Sequence, residues 1–212
     1  MAVDALFRAY EQLTAQTDAA FEKMVRDYPE AVQCRRHCDD CCHAVFGLFL
    51  VEAAYIQTFF AGLPSEVKSE VLLRCTQADR ALSRLQQEMQ APDKEKGKAE
   101  DPLASGRIRC PLLNEAKDCE LYPQRPITCR IYGVPTQVQG RGRVCRFSGF
   151  EAGKTYPTFD LDAVYRDLYD LSKELLDMEG GTDPERAGLL ISVSKALTTP
   201  LETLIHESLG PE

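Results

Sequence analysis

The chain has no tryptophan and only three histidines among its 212 residues, of which His37 and His206 carry no motif. It also lacks a basic excess. Lys and Arg number 25 against 33 Asp and Glu, for a formal net charge of −8. A nucleic-acid-binding face, which needs cations to meet phosphate, is not expected. The opening MAVDALFRAYEQ has acidic residues and no apolar stretch before a small-residue cleavage site, so no secretory signal is read. No internal repeat is evident. Against these scarcities stands cysteine, of which there are nine. Nine thiols without an export signal point to a reducing, cytoplasmic setting, and an odd count suits a disulfide framework poorly.

One run raises the question of a membrane. AVFGLFLVEAAYIQTFFAGL, residues 44–63, is long enough to cross a bilayer and carries a single charge. That charge, Glu52, sits near the middle, where a charged group costs about 2.5–3.5 kcal/mol on insertion scales. A buried core element, and no membrane association, is the expectation.

Apolar spacing predicts a mainly α-helical fold. Val3, Leu6, Phe7, Tyr10, Leu13, Phe21, Met24, Val25 and Tyr28 recur mostly at helical intervals, on one face of a helix that Pro29 ends. Residues 48–62 read as a buried helix, and a stripe from Val67 through Val71, Cys75 and Ala78 to Leu85 reads as another, opened by Pro64-Ser65. Residues 91–106, APDKEKGKAEDPLASG, are charged and Pro/Gly-rich, as an exposed linker would be. Asp160 should cap a helix through Leu161, Val164, Leu168 and Leu175 that stops at Gly180-Gly181. Thr199-Pro200-Leu201-Glu202 fits a capping box, whereas LLISVSKAL could be strand or helix. The expected layout is one domain over 1–212: helices to 90, a linker over 91–106, an irregular, loop-rich metal lobe over 107–146, and C-terminal helices over 160–209.

Eight cysteines fall in two groups. AVQCRRHCDDCCHAV holds Cys34, Cys38, Cys41 and Cys42; Cys110, Cys119, Cys129 and Cys145 lie in the second. Thiolates at short spacings bind soft or borderline metals, zinc and iron–sulfur clusters above all. On a helix the first four would share one face. Cysteine as a small hydrophobe on an apolar stripe would explain one such residue but not four among Arg35, Arg36, His37, Asp39 and Asp40. Neighbouring side chains diverge on a helix or strand, so the Cys41-Cys42 pair points to two metals or a polynuclear cluster. His43 could replace one thiolate or merely donate a hydrogen bond, and is not counted. Cys75, on an apolar helical stripe, belongs to the core.

Around the second group, from Ala104 to Phe147, eight basic residues face three acidic ones. Such an excess would lower thiol pKa values and stabilise an anionic metal–sulfur centre; the alternative is a solvated patch for an acidic partner. Large apolar side chains are few here, so the lobe should need its metal in order to fold.

C-x3-C-x2-C-C, then C-P-L-L, then C-x2-Y-x2-R-P-x2-C-R over Cys119–Arg130 resembles the zinc- or iron-chelating cysteine-cluster family, YkgJ-like and named for its CxxCxxCC motif. The resemblance spans Cys34 to Cys145. It implies a metal site formed by all eight: Cys34, Cys38, Cys41, Cys42, Cys110, Cys119, Cys129 and Cys145. The family name has two residues between the first cysteines, whereas three separate Cys34 from Cys38. Relatives include longer flagellin lysine methylases, but nothing here resembles a glycine-rich S-adenosylmethionine loop, and methyl transfer is not carried over. Three functions fit: a cytoplasmic protein holding an iron–sulfur cluster or zinc through these thiolates in a redox or metal-handling role, an enzyme that uses the cluster as a working centre (an oxidoreductase or a methyltransferase-like relative), or an interaction module stabilised by zinc. The metal ion is the one partner the residues specify.

Overall fold

Seven α-helices and a small three-stranded sheet form the body of the computed structural model, which describes residues 2–90, 106–151 and 153–206. Helix α1 (Ala2–Asp27) turns Leu6, Tyr10, Leu13, Thr17 and Met24 inward, the one-sided face that a 3.6-residue period requires. Helix α2 (Leu50–Ala61) is buried without a break from Leu50 to Ile56. A helix apolar on every side must be surrounded. It is covered by α1, α5 (Leu161–Met178), α6 (Val193–Thr198) and α7 (Leu201–His206). Helix α3 (Ser65–Gln90) packs Val71, Cys75 and Ala78 inward and lies against α6. The fold is mainly α, and no described helix is long and apolar enough to cross a membrane.

Local signals resolve as the chemistry dictates. Asp160 Oδ1 accepts from Ala163 N at 3.1 Å and opens α5. LLISVSKAL divides: Ile191 exchanges two backbone bonds with Leu48, at 2.7 and 2.9 Å, and Ser192 then caps α6. The linker expected at 91–106 lies outside the described residues except for Gly106, as do the last residues of the C-terminal helices beyond 206.

The lobe between them is irregular. It holds one short helix, α4 (Ile127–Ile131), and a hairpin of β1 (Thr136–Val138) with β2 (Arg141–Arg143); β3 (Phe159–Asp160) joins β1 in parallel. The hairpin closes through Gln139 and Gly140, with φ of 49° and 72°, the left-handed pair that a two-residue turn between twisted strands needs. One expectation is corrected. Leu112, Leu113, Leu121, Ile127, Ile131 and Val134 are each no more than 3% exposed, and most join the cluster that contains Leu6, Ile56 and Ile205. Counting large apolar residues understated the lobe because these few are almost wholly buried.

Glu52 joins the lobe to this core. Its Oε2 accepts from Phe49 N (3.2 Å), while its Oε1 accepts from Ile127 N (3.0 Å) and Tyr10 O–H (3.5 Å). The charge that argues against a membrane span is thus the N-terminal anchor of α4. Burial pushes its carboxyl up to about 7, against the opposing pull of its backbone hydrogen bonds. An acid whose pKa is raised in the fold contributes stability that is complete below its unfolded value and lost as pH rises through the folded one. Urea unfolding between pH 4.5 and 8 should therefore show a falling contribution, on the order of 1–3 kcal/mol, that is absent from Glu52→Gln. An identical pH slope in that variant would remove Glu52 as the cause.

Candidate metal centre

After α1 the chain runs through turns rather than a helix. Cys38 N bonds Arg35 O at 2.9 Å, His37 takes a φ of 66°, and Cys41–His43 form a single 3-10 turn held by Asp39 and Asp40 carbonyls. The four cysteines therefore do not line one helix face, because Asp39 and Asp40 close local turns in place of helical bonds. The adjacent pair does not diverge either: the Cys41 and Cys42 sulfurs stand 3.9 Å apart.

Backbone pairing brings the second group to the first. Ile108 N bonds His43 O at 2.9 Å and Cys110 N bonds Cys42 O at 2.7 Å, laying residues 107–110 antiparallel to 42–44. A bridge between Leu113 and Cys119 closes the next loop, with Asn114 Oδ1 accepting from Asp118 N at 2.9 Å. Cys129 rides on α4, fixed at its start by Glu52 and beyond it by Arg130, which is 7% exposed and bonds Asp18 and the Arg125 carbonyl. Cys34 nests against Gly133 so closely that a Cβ there would lie 2.2 Å from that of Cys34. Cys145 Sγ donates to Asp40 Oδ2 at 3.4 Å.

The eight thiols so gathered form two adjoining sets. Cys41, Cys42, Cys110, Cys119 and Cys129 line a cavity of about 80 Å³ whose other walls include Ala44, Ile56, Ala78 and Leu112. Cys34, Cys38 and Cys145 line a smaller one beside it, and Cys41 borders both. Among the described residues, no three Cys, His, Asp or Glu side chains are drawn together tightly enough to hold an ion. None of the nine cysteines is in a disulfide.

Electrostatics single out Cys41. Hydrogen bonds from the Cys129 and Cys42 thiols, aided by Arg125, bring it down to about 4 against the opposing effect of burial. Cys34, Cys42, Cys110, Cys119, Cys129 and Cys145 move the opposite way. Burial raises Cys34 and Cys110 to about 12 and Cys119 to about 11, with neighbouring thiols adding to each. Cys42 and Cys129 are raised first by donating to Cys41 and then by burial. The arginine excess does not lower these thiols generally, because most of the cations are engaged elsewhere. Arg107 and Arg146 face Asp40, Arg130 faces Asp18, and Arg109 faces Glu115. Arg125, stacked 4.2 Å from the Tyr122 ring and 3.6 Å from Asp18, still pulls Cys34, Cys41 and Cys119 downward.

Several residues that matter here carry no sequence motif. Asp40 is 2% exposed and faces Arg107, Arg146 and the Cys145 thiol. Arg74 of α3 donates Nε to Pro111 O at 2.7 Å, tying that helix to the second group. The C-D-D-C-C run hinted at Asp40, but its cations lie 67 and 106 residues away. His43 Nδ1 faces Asp39 O at 3.0 Å and His37 faces Asp118 at 3.5 Å. Cys75 is fully buried in the core, close enough to Cys110 for a thiolate on one to disfavour a thiolate on the other.

Residues 33–146, more than half of the chain, match the CxxCxxCC family, whose description reads "Putative zinc- or iron-chelating domain". No curated protein and no solved structure matches the chain. The match covers both cysteine groups and the turns, bridges and short helix that bring them together. The chain belongs to the CxxCxxCC family of zinc- or iron-chelating domains.

Proposed function

We propose that this chain is a cytoplasmic protein that holds a polynuclear thiolate-ligated metal centre, an iron–sulfur cluster or clustered zinc, in a redox or metal-handling role. Cys34, Cys38, Cys41, Cys42, Cys110, Cys119, Cys129 and Cys145 are its ligands, within a single cysteine-cluster domain. One observation carries the reading: Cys41 borders both thiol sets and accepts from a thiol of each sequence group. The donor chemistry suits such a centre. Five thiols around one cavity exceed the four that close a structural zinc site, and a shared thiol is what two adjoining metals need. Packing thiols together keeps most of them protonated. A soft cation would reverse this, since it favours the thiolate that burial disfavours.

Protein purified without oxygen in reducing buffer should carry more than one metal per chain. Metal and acid-labile sulfide analysis then separates the two chemistries: sulfide with a visible charge-transfer band marks an iron–sulfur cluster, and colourless protein with several zinc ions marks a zinc–thiolate cluster. One zinc per chain, or none, would overturn the polynuclear reading.

A further inference from the structure

Beside the cysteines lies a much larger cleft, of about 540 Å³, to which Cys145 alone of the proposed ligands contributes a wall. Its walls come from the 44–46 segment, from α4, from the start of α5 and from the β1–β2 hairpin. The volume falls in the range of small-molecule sites, roughly 300–1,000 Å³. Its lining is mostly apolar, with Phe46, Ile131, Val138 and Val144 among it, and no carboxylate contributes. Two cations do. Arg141 and Arg143 lie on β2, whose three residues are all exposed, and neither has an ion-pair partner among the described residues. Asp162 of α5, which bears on Tyr165 at the wall, is itself engaged by Gln139 N at 2.7 Å. Most of the other cations of this lobe are matched to carboxylates, so an unmatched pair over an apolar floor is a local exception in an acidic chain.

We propose that this cleft binds a small organic anion, a carboxylate with an apolar body. The acid group would pair with Arg141 and Arg143, and the body would lie over Phe46, Ile131 and Val144. Arginine suits a carboxylate because its planar fork can give two parallel, charge-assisted bonds. The position is informative as well. Ala44, Val45 and Phe46 line both this cleft and the inner cysteine cavity, and Cys145 stands at the cleft's edge. A ligand held here would border Cys145 and lie one segment of chain away from the inner cysteine cavity. Binding itself requires no metal, so the proposal stands or falls separately from the centre proposed above.

Isothermal titration calorimetry of the full chain with octanoate, and with octan-1-ol as the neutral match, tests this directly. Octanoate should bind saturably and the alcohol at least tenfold more weakly. The double variant Arg141→Gln/Arg143→Gln should lose tenfold or more in octanoate affinity while its helical circular dichroism and metal content stay unchanged. Val144→Trp, which fills the cleft from an exposed position, should also abolish binding, and the chain's lack of tryptophan makes its emission a check on folding. Absent octanoate binding, equal affinity for the alcohol, or undiminished affinity in the double variant would each overturn the proposal. So would metal loss in that variant, because the arginines would then serve the thiol centre.

Discussion

Cys41→Ser should lower bound metal about tenfold or more, the largest loss expected from any single substitution in the chain. Its thiol borders both cavities and is the one driven toward the thiolate by its neighbours. A hydroxyl is a poor ligand for soft metals and cannot take over a shared position. Cys38→Ser, confined to the smaller set, should cost less. The control is Cys75→Ser. A buried serine without a partner should destabilise the core by about 1–3 kcal/mol and leave metal content intact. Metal per chain, measured on folded protein of each variant, checks all three. Comparable metal loss from Cys75→Ser would make that residue a ligand through its closeness to Cys110 and would break the assignment of eight.

Chelation under reducing conditions should loosen the pairing of the two cysteine groups while sparing the helices. The sequence alone suggests a lobe that unfolds whole. The buried Leu112, Leu121, Ile127 and Ile131 argue instead for a partial effect, since apolar contacts with the helical core, not metal bonds, hold them. The bonds at risk are Ile108 N to His43 O and Cys110 N to Cys42 O, which join the two cysteine groups. Hydrogen exchange across 106–122 should accelerate by about tenfold to a hundredfold, whereas exchange in α2 should not change. Limited trypsin digestion should agree: Lys117, with its side chain 66% exposed on a tight turn, should be cut with or without metal, while Arg130, its side chain 7% exposed, should stay protected in both forms. Unchanged exchange at 106–122 would mean that metal does not hold the groups together.

Helices were readable because their signals are local. Tyr10 and Leu13 belong to one face by spacing alone, and the Asp160 cap lies three residues from the N–H it accepts. That the two cysteine groups come together was readable, because so many thiols at such spacing suggest a common centre. Their arrangement was not. Spacing of Cys34, Cys38, Cys41 and Cys42 fits a helix, yet turns through Asp39 and Asp40 win. Those turns are secured by Arg107 and by pairing with residues 107–110, contacts that no local pattern encodes. Glu52 illustrates the same limit: its charge was visible, but its partner Ile127 lies 75 residues further on.

The antiparallel pairing of residues 42–44 with 107–110 has a consequence for how the protein is made. During synthesis the first four thiols emerge together, without the backbone or sulfur partners that later surround them. At about 5–20 residues per second, Cys145 follows Cys42 by roughly 5–20 s. Until then four neighbouring thiols are free to capture whatever ion or oxidant arrives first. Faithful loading therefore depends on what the nascent chain meets during those seconds, so the yield of correctly metallated protein should respond to translation rate and to metal supply during growth.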